Sequence, residues 1–488
     1  MKHWLGCLAG LWLGVNGLNA AVTPQAVSDR PPLQLEEVLL SVRGYYPPLL
    51  ASWIQQDIAN GRVRQSIGAF DTILSSSLVW RPENFYDGSN AELLIEQPLP
   101  IWGGSVYGGY RRSSGFFADY ERKLRTAEGG EGVLGFKVPL LRGGPFDNRR
   151  AARGKAEIER ELADPFILRQ YLDFIRGARI SYYEWVAKGQ RLAVAEEILN
   201  IALERDKALE EQKQQGAIAP IVQVDNQRLV VNRQIAVFQA RRGFEQAAIK
   251  LSLFLRKSGN GEPIVAGREL LPQAFPEQIP LSEIDIINDS ERAAFNRPEV
   301  RQIGLLFSRA EIDKRLAGNN LKPNLDLAFE LNRAIGNDRP KDIDPTEIAG
   351  LIQFSLPIGR NEAQGRIEAI DGEIARLEQE KKFAREKILA DAQDSYSAVR
   401  AALGALGQTK RNVDLSIELE KAENQKFKEG ASDLLAVQIR EEATFNARNL
   451  EINAKLAYFQ ALANYKAAVA EDAPANLLPK SSFGALEQ

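Results

Sequence analysis

Apolar and polar residues alternate with a period of two in several short segments of the chain. The clearest segment runs from 323 to 335, and a second follows at 346–356, after a turn at 336–340 that contains Gly and Pro. In the first, apolar Leu325, Leu327, Phe329 and Leu331 alternate with polar Asn324, Asp326, Glu330 and Asn332, with Ala328 between them. This pattern predicts a β-hairpin at about 323–357 that has one apolar and one polar face.

Four segments in the first third of the chain alternate in the same way, at 70–80, 91–101, 106–111 and 133–141. They predict a β-hairpin region at about 69–141. Two strands would need fewer alternating segments than these. Either one strand is broken at Pro98 and Pro100, or an extra hairpin sits at the end of a barrel.

Long stretches with few Gly and Pro residues separate the strands. They predict helices at about 150–215, 220–256, 361–429 and 433–470. In the first of these, Trp185, Leu192 and Leu199 recur at every seventh position, which is typical of coiled-coil packing. A straight helix from 150 to 215 is about 100 Å long, which exceeds the width of a compact domain.

The order of a β-hairpin region followed by two helices occurs twice, which predicts an internal duplication. Local sequence agrees, because 135–140 resembles 353–358 and 213–217 resembles 427–431. The chain therefore divides into a first repeat at 21–256, an irregular Pro-rich segment at 257–292, a second repeat at 293–471 and a C-terminal tail at 472–488.

Composition and the N-terminal segment indicate that the chain is exported. Lys2, an apolar run at 4–15 and small residues ending at Ala20 form a secretory signal peptide at 1–20. The chain's only His, Cys and Met are His3, Cys7 and Met1, all within that peptide. The exported chain is then expected to lack disulfides, Cys- or His-ligated metal and any His-based triad. The net charge of −3 argues against a nucleic-acid partner.

An exported chain with such strands suggests a membrane barrel. Membrane β-strands need only about 9–11 alternating residues, and lipid requires every backbone group to be paired in a closed barrel. Two hairpins cannot close a barrel, so several copies must pool their strands. The long helices are too polar for lipid and must lie in water. We expect the polar set Asn324, Asp326, Glu330 and Asn332 to face a water-filled lumen, and the apolar set Leu325, Leu327, Phe329 and Leu331 to face lipid.

The chain resembles the TolC-like outer membrane factors (outer membrane efflux proteins), the exit ducts of tripartite efflux pumps and type I secretion systems. The resemblance rests on the duplicated order, the Pro-containing strand exits at 138–144 and 356–360, the Tyr-Tyr-Glu-Trp sequence at 182–185, and the turns at Gly216 and Gly430. It implies an α+β membrane protein, a homotrimer whose four strands per subunit form one twelve-stranded outer-membrane β-barrel. A long periplasmic α-helical coiled-coil barrel continues it.

The resemblance also implies three partners besides its own copies: a periplasmic adaptor protein, an inner-membrane transporter and outer-membrane lipid. The turns between helices are the candidate adaptor-binding sites, because Gly suits the left-handed end of a helix and small neighbours leave a low surface. The candidate residues are Gly216, Ala217, Ile218, Gly430, Ala431 and Ser432. The alternative is a helix-hairpin turn without a partner.

Two other functions remain open at this stage, a periplasmic adaptor-like coiled-coil protein and an exported carboxylate-based hydrolase. The sequence contains no Gly-rich or metal-ligand constellation that favours an enzyme, so we expect no catalytic, cofactor or metal site. Trp80, Trp102, Tyr107 and Tyr110 are either an aromatic girdle at the membrane interface or ordinary packing residues.

Overall fold

The structure, a computed structural model, describes residues 31–83, 87–116, 125–337 and 344–474. The predicted signal peptide and most of the predicted tail lie outside these ranges. The helices are α1 (Leu35–Tyr45), α2 (Pro47–Ile67), α3 (Asn148–Gln214), α4 (Pro220–Ser252), α5 (Glu283–Asn296), α6 (Pro298–Asn320), α7 (Asn361–Lys428) and α8 (Leu434–Ala468). The strands are β1 (Ile73–Arg81), β2 (Gly88–Pro98), β3 (Ser105–Gly115), β4 (Glu131–Pro139), β5 (Asn324–Ala334) and β6 (Thr346–Ser355).

The strands form one antiparallel sheet in the order β1-β2-β3-β4-β5-β6. The chain therefore contributes six strands in its described part, and the expectation of four strands per subunit is wrong. All four alternating segments of the first repeat are strands, so no strand is broken at Pro98 and Pro100, and the extra hairpin, β1–β2, pairs within the sheet. Pro98 ends β2 instead of breaking it, because proline cannot donate a backbone hydrogen bond to the sheet.

Two very long helices extend from the sheet. Helix α3 has 67 residues and α7 has 68, so each is about 100 Å long at 1.5 Å per residue. The start of α3 is fixed by Asp147, whose carboxylate accepts a hydrogen bond from the Arg150 backbone N–H at 2.9 Å. The shorter α4 and α8, with 33 and 35 residues, pack against α3 and α7 respectively, and α3 also packs against α8.

The ends of the long helices that lie nearer the sheet are covered by other helices. Helix α2 packs on α3, and α6 packs on both α3 and α7. Helices α1 and α2 were not predicted from the sequence. In α2 the buried positions include the small Ser52 and Ala59 while Ile54 and Ile58 are exposed, so no apolar stripe marks the helix. Helix α5 likewise occupies the end of the segment predicted to be irregular.

The main hydrophobic core lies midway along α3. Trp185 is fully buried, and the Tyr183 ring stacks on Phe459 of α8 with centroids 4.2 Å apart. The irregular segment after α4 closes this core, because the Tyr458 hydroxyl donates a hydrogen bond to the carbonyl of Ile279 at 2.7 Å. The Tyr-Tyr-Glu-Trp sequence is therefore a packing element in the middle of the long helix.

Candidate functional site

The strand pairing divides the sheet into two chemically different faces. Leu327 of β5 lies opposite Val138 of β4 and Ile352 of β6, and the same face continues through every strand. Its exposed large residues are Leu74, Leu78, Trp80, Leu93, Ile95, Val106, Tyr110, Leu134, Phe136, Phe329, Ile348, Ile352 and Phe354. An exposed apolar patch of this extent marks an interaction surface.

The opposite face is mostly polar. It carries Ser75, Ser77, Asn90, Glu92, Glu96, Tyr107, Arg111, Glu131, Lys137, Asn324, Asp326, Glu330, Asn332, Glu347 and Gln353. The large apolar exceptions on it are Ile73, Val79, Leu94, Val133 and Leu351. The predicted polar set of β5 thus shares one face, and its predicted apolar set shares the other, where Leu325, Leu327 and Leu331 are half-buried.

An ion cluster links four strands across the polar face. The Arg111 guanidinium lies 2.9 Å from a Glu92 carboxylate oxygen, 3.1 Å from Glu131 and 3.8 Å from Glu330. The Tyr107 hydroxyl donates a hydrogen bond to Glu330 at 3.0 Å. Sequence reasoning placed Glu330 on a polar face but missed Arg111 as its partner. The only signal was an arginine within an alternating segment, and its neighbours are set by strand register.

The four aromatic residues singled out from the sequence occupy different surroundings. Trp80 and Tyr110 lie on the apolar face, and Trp80 is 72% exposed. Trp102 lies in the β2–β3 turn, where its indole N–H donates a hydrogen bond to the Pro139 carbonyl at 2.8 Å. Tyr107 lies on the polar face, so it cannot belong to a girdle on the apolar face.

The turn after α3 ends the helix in a left-handed residue. Gly216 has a φ of 69°, and its N–H donates a hydrogen bond to the Lys213 carbonyl at 2.9 Å, while the N–H of Ala217 reaches the Gln212 carbonyl at 2.9 Å. These two bonds define a Schellman motif, in which a side chain at the glycine position would be strained. Gly216 and Ala217 are exposed and Ile218 is half-buried.

The turn after α7 repeats this geometry. Gly430 has a φ of 74° and bonds to the Phe427 carbonyl at 3.1 Å, and Ala431 bonds to the Lys426 carbonyl at 2.9 Å. Gly430 and Ala431 are exposed, while Ser432 is half-buried and donates a hydrogen bond to Glu423 at 2.5 Å. The six candidate residues therefore form two turns of the same design.

A polar cluster stiffens the first turn. Glu210 accepts hydrogen bonds from Gln214 at 3.0 Å and Lys213 at 3.0 Å, and also from Gln223 of α4. These bonds favour the charged carboxylate and lower the pKa of Glu210 to about 2. Glu210 therefore ties the last turn of α3 to the first turn of α4.

Ion pairs connect the α3–α4 hairpin with α8. The Arg205 guanidinium donates to a Glu441 carboxylate oxygen at 3.0 Å, and Arg233 of α4 pairs with Glu442. Arg205 precedes Gly216 by eleven residues and Glu441 follows Gly430 by eleven, so they lie about 16 Å from their respective turns. The pairing shows that the two turns lie at the same end of the helices.

Neither a helix long and apolar enough to cross a membrane nor a metal-binding group of His, Cys, Asp or Glu side chains occurs within the described ranges.

Comparison with solved structures identifies the fold. The chain is similar to the outer-membrane channel OprN (TM-score 0.65, 12% identity, 89% of each chain covered). It is similar to the Campylobacter jejuni CmeC outer membrane channel (TM-score 0.64, 12% identity, covering 89% of this chain and 85% of that one). It is also similar to the outer membrane protein VceC from Vibrio cholerae (TM-score 0.63, 14% identity, covering 89% and 96%). No protein-family model and no curated protein matches the sequence.

Proposed function

We propose that this chain, which has the fold of the TolC-like outer membrane channels, is itself an outer-membrane exit duct. In this proposal it serves a tripartite efflux pump or a type I secretion system, and it passes substrates delivered by an inner-membrane transporter through a periplasmic adaptor. The observation that carries the proposal is the six-stranded sheet with one exposed apolar face and one polar face, attached to helices about 100 Å long.

Physical chemistry supports a barrel embedded in lipid. An apolar face that covers all six strands is costly in water but favourable against hydrocarbon, and the strands have 9–11 residues, the length that spans a membrane at a tilt. The polar face, with Asp326, Glu330 and Arg111, then lines a water-filled lumen. The helices carry many charged residues and lie in the periplasm.

A single copy cannot complete this barrel. Unpaired strand edges are not tolerated in lipid, so copies must join edge to edge. We propose a homotrimer, in agreement with the family that the sequence resembles. Analytical ultracentrifugation in detergent measures the assembly directly, and a stable monomer would contradict both the barrel and the duct.

The experiment that tests the duct is ion conductance across a planar bilayer. The purified, detergent-extracted protein is expected to give discrete conductance steps, and the protein is expected in the outer-membrane fraction of the cell. A boiled sample of the same preparation is the control. A protein that fractionates as soluble and gives no steps would overturn the proposal and favour the adaptor or hydrolase alternative.

The two turns are the proposed adaptor contacts. Trp at Ala217 and Ala431 would raise a bulky side chain beside each capping glycine, whereas Ala431→Ser keeps the surface low. We expect the double Trp variant to fold, assemble and reach the outer membrane but to lose export. A photo-cross-linker at Ala217 or Ala431 should capture a periplasmic adaptor, which mass spectrometry identifies. Full export by the double variant would show that these turns bind no partner.

A further inference from the structure

The hairpin of β1 and β2 is an integral part of the sheet. Strand β1 pairs with β2 along its whole length, from Ile73 opposite Glu96 to Arg81 opposite Gly88. Strand β2 then pairs with β3 from Gly88 opposite Gly115 to its last residue, Pro98. The edge of β3 is therefore fully occupied, and no other strand can pair there unless the hairpin is removed.

The apolar face continues onto this hairpin, where Ser76, Ser89 and Gln97 are polar exceptions. Leu78 and Trp80 of β1 are each 72% exposed, and Ile95 of β2 is 52% exposed. The exposure of Leu78 and Trp80 equals that of Ile352 in β6, at 72%. A hairpin placed in the lumen or folded over the barrel mouth would expose these apolar side chains to water, whereas a hairpin that faces lipid requires them.

The two edges of the sheet suit each other. Within the described residues, β1 and β6 each pair with a single strand. They contain 9 and 10 residues, and because the sheet is antiparallel with an even number of strands, they run in opposite directions. Strand β6 of one copy can thus pair antiparallel with β1 of the next copy while the apolar face stays continuous.

We infer that β1 of one copy pairs with β6 of the next, and that three copies close an eighteen-stranded barrel instead of one with twelve strands. This inference rests on the proposed trimeric duct and deepens it, because the strand number sets the width of the passage. A twelve-stranded trimer would require four strands per chain and would leave the β1–β2 hairpin outside the barrel.

The expected width follows from strand geometry. Strands about 4.8 Å apart and tilted by about 40° each occupy about 6.3 Å of circumference, so the backbone diameter is about 36 Å for eighteen strands and about 24 Å for twelve. Side chains reduce each diameter by about 10 Å, which leaves about 26 Å and about 14 Å. The wider lumen has about three times the cross-section and admits correspondingly larger cargo.

Cysteine cross-linking in the outer membrane tests the β1–β6 contact. The chain's only Cys is Cys7, in the predicted signal peptide, so the exported protein offers a clean background. Gly350→Cys in β6 is combined with Cys at Leu74, Ser76 or Leu78 of β1, which covers the possible registers on the apolar face. Gly350 has space for a side chain, since no atom lies within 4 Å of an added Cβ. The matched control combines Gly350→Cys with Tyr110→Cys in β3.

We expect a β1–β6 pair to give cross-linked dimers and trimers, and the control pair to give none. Cross-links between β3 and β6, or none from any of the three β1 variants, would overturn the inference. A cross-linked species that stops at a closed dimer would also overturn it, because two copies supply only twelve strands.

Polymer exclusion in a planar bilayer tests the width. Polyethylene glycols of graded size are added to the compartment that faces the barrel end of the protein, so that the helical end does not limit their entry. We expect exclusion to begin at a hydrodynamic radius of about 13 Å, against about 7 Å for twelve strands. A channel with the narrow cut-off would refute the eighteen-stranded barrel and leave the duct standing. A β1–β6 cross-link in a protein without conductance would support the pairing between copies and contradict the duct.

Discussion

Leu327 and Asp326 provide a direct test of which face of the sheet meets lipid. They are neighbours in β5 but lie on opposite faces, because Leu327 is opposite Ile352 and Asp326 is opposite Gln353 in β6. Leu327→Arg and Asp326→Arg therefore introduce the same side chain at the same depth of the barrel. Any difference between the two variants reports on the face and not on the residue.

The expected magnitude depends on the depth of Leu327. The apolar positions of β5 run from Leu325 to Leu331, and their midpoint lies between Leu327 and Phe329, about 3.4 Å along the strand from Leu327. An arginine this close to the centre of the lipid costs about 2–4 kcal/mol, which falls to about 0–1 kcal/mol near the interface. The folding equilibrium should shift about 30- to 700-fold for Leu327→Arg. The free energy of unfolding of Asp326→Arg should lie within about 1 kcal/mol of the wild-type value, because its side chain remains in water.

The assay has two parts. Urea unfolding of the protein in lipid vesicles gives the change in folding free energy, and reversal potentials in a salt gradient report ion selectivity. We expect Leu327→Arg to be destabilised with little change in ion selectivity. We expect Asp326→Arg to be stable and to prefer cations less than the wild type does, because each copy loses one negative charge and gains one positive charge in the lumen. Equal stability of the two variants, or destabilisation by Asp326→Arg alone, would show that the assignment of the faces is wrong.

Three further predictions concern the helical part. Gly430→Ala should lower the free energy of unfolding by about 1–2 kcal/mol in urea unfolding, because of its left-handed backbone, whereas Gly404→Ala within α7 should raise it by about 0.5–1 kcal/mol. Glu210 has a lowered pKa of about 2 against an ordinary 4.5, so its stabilisation of the first turn is complete above pH 4.5 and is lost as the pH falls towards 2. Hydrogen exchange of the backbone amides in the first turn, corrected for intrinsic rates, should show that the wild type loses protection as the pH falls. Protection that does not change with pH in Glu210→Gln would confirm the assignment. Tyr458→Phe leaves the Ile279 carbonyl without its partner and should cost about 1–3 kcal/mol, measured by thermal unfolding.

The sequence by itself determined the local structure of the strands and the long helices. Alternation is a property of consecutive residues, so the two faces of β5 could be recognised from Leu325 to Asn332 without knowledge of any partner. Gly216 and Gly430 were recognisable as helix ends for the same reason, since a left-handed C-terminal residue is a local requirement. Helix α2 was missed because its buried positions include Ser52 and Ala59, which give no apolar periodicity.

Only the tertiary structure decided which elements meet. Alternation shows that a strand has two faces but not which strand lies beside it. It marked all six segments that become strands, whereas the count of four strands came from the family resemblance. Only the hydrogen-bond register shows that β1 and β2 continue the sheet from β3. The same holds for Arg111, whose partners Glu92, Glu131 and Glu330 come from three other strands separated by up to 238 positions in the chain. Contacts between residues so distant in sequence depend on the register of every intervening strand, and that register is fixed by the folded sheet as a whole.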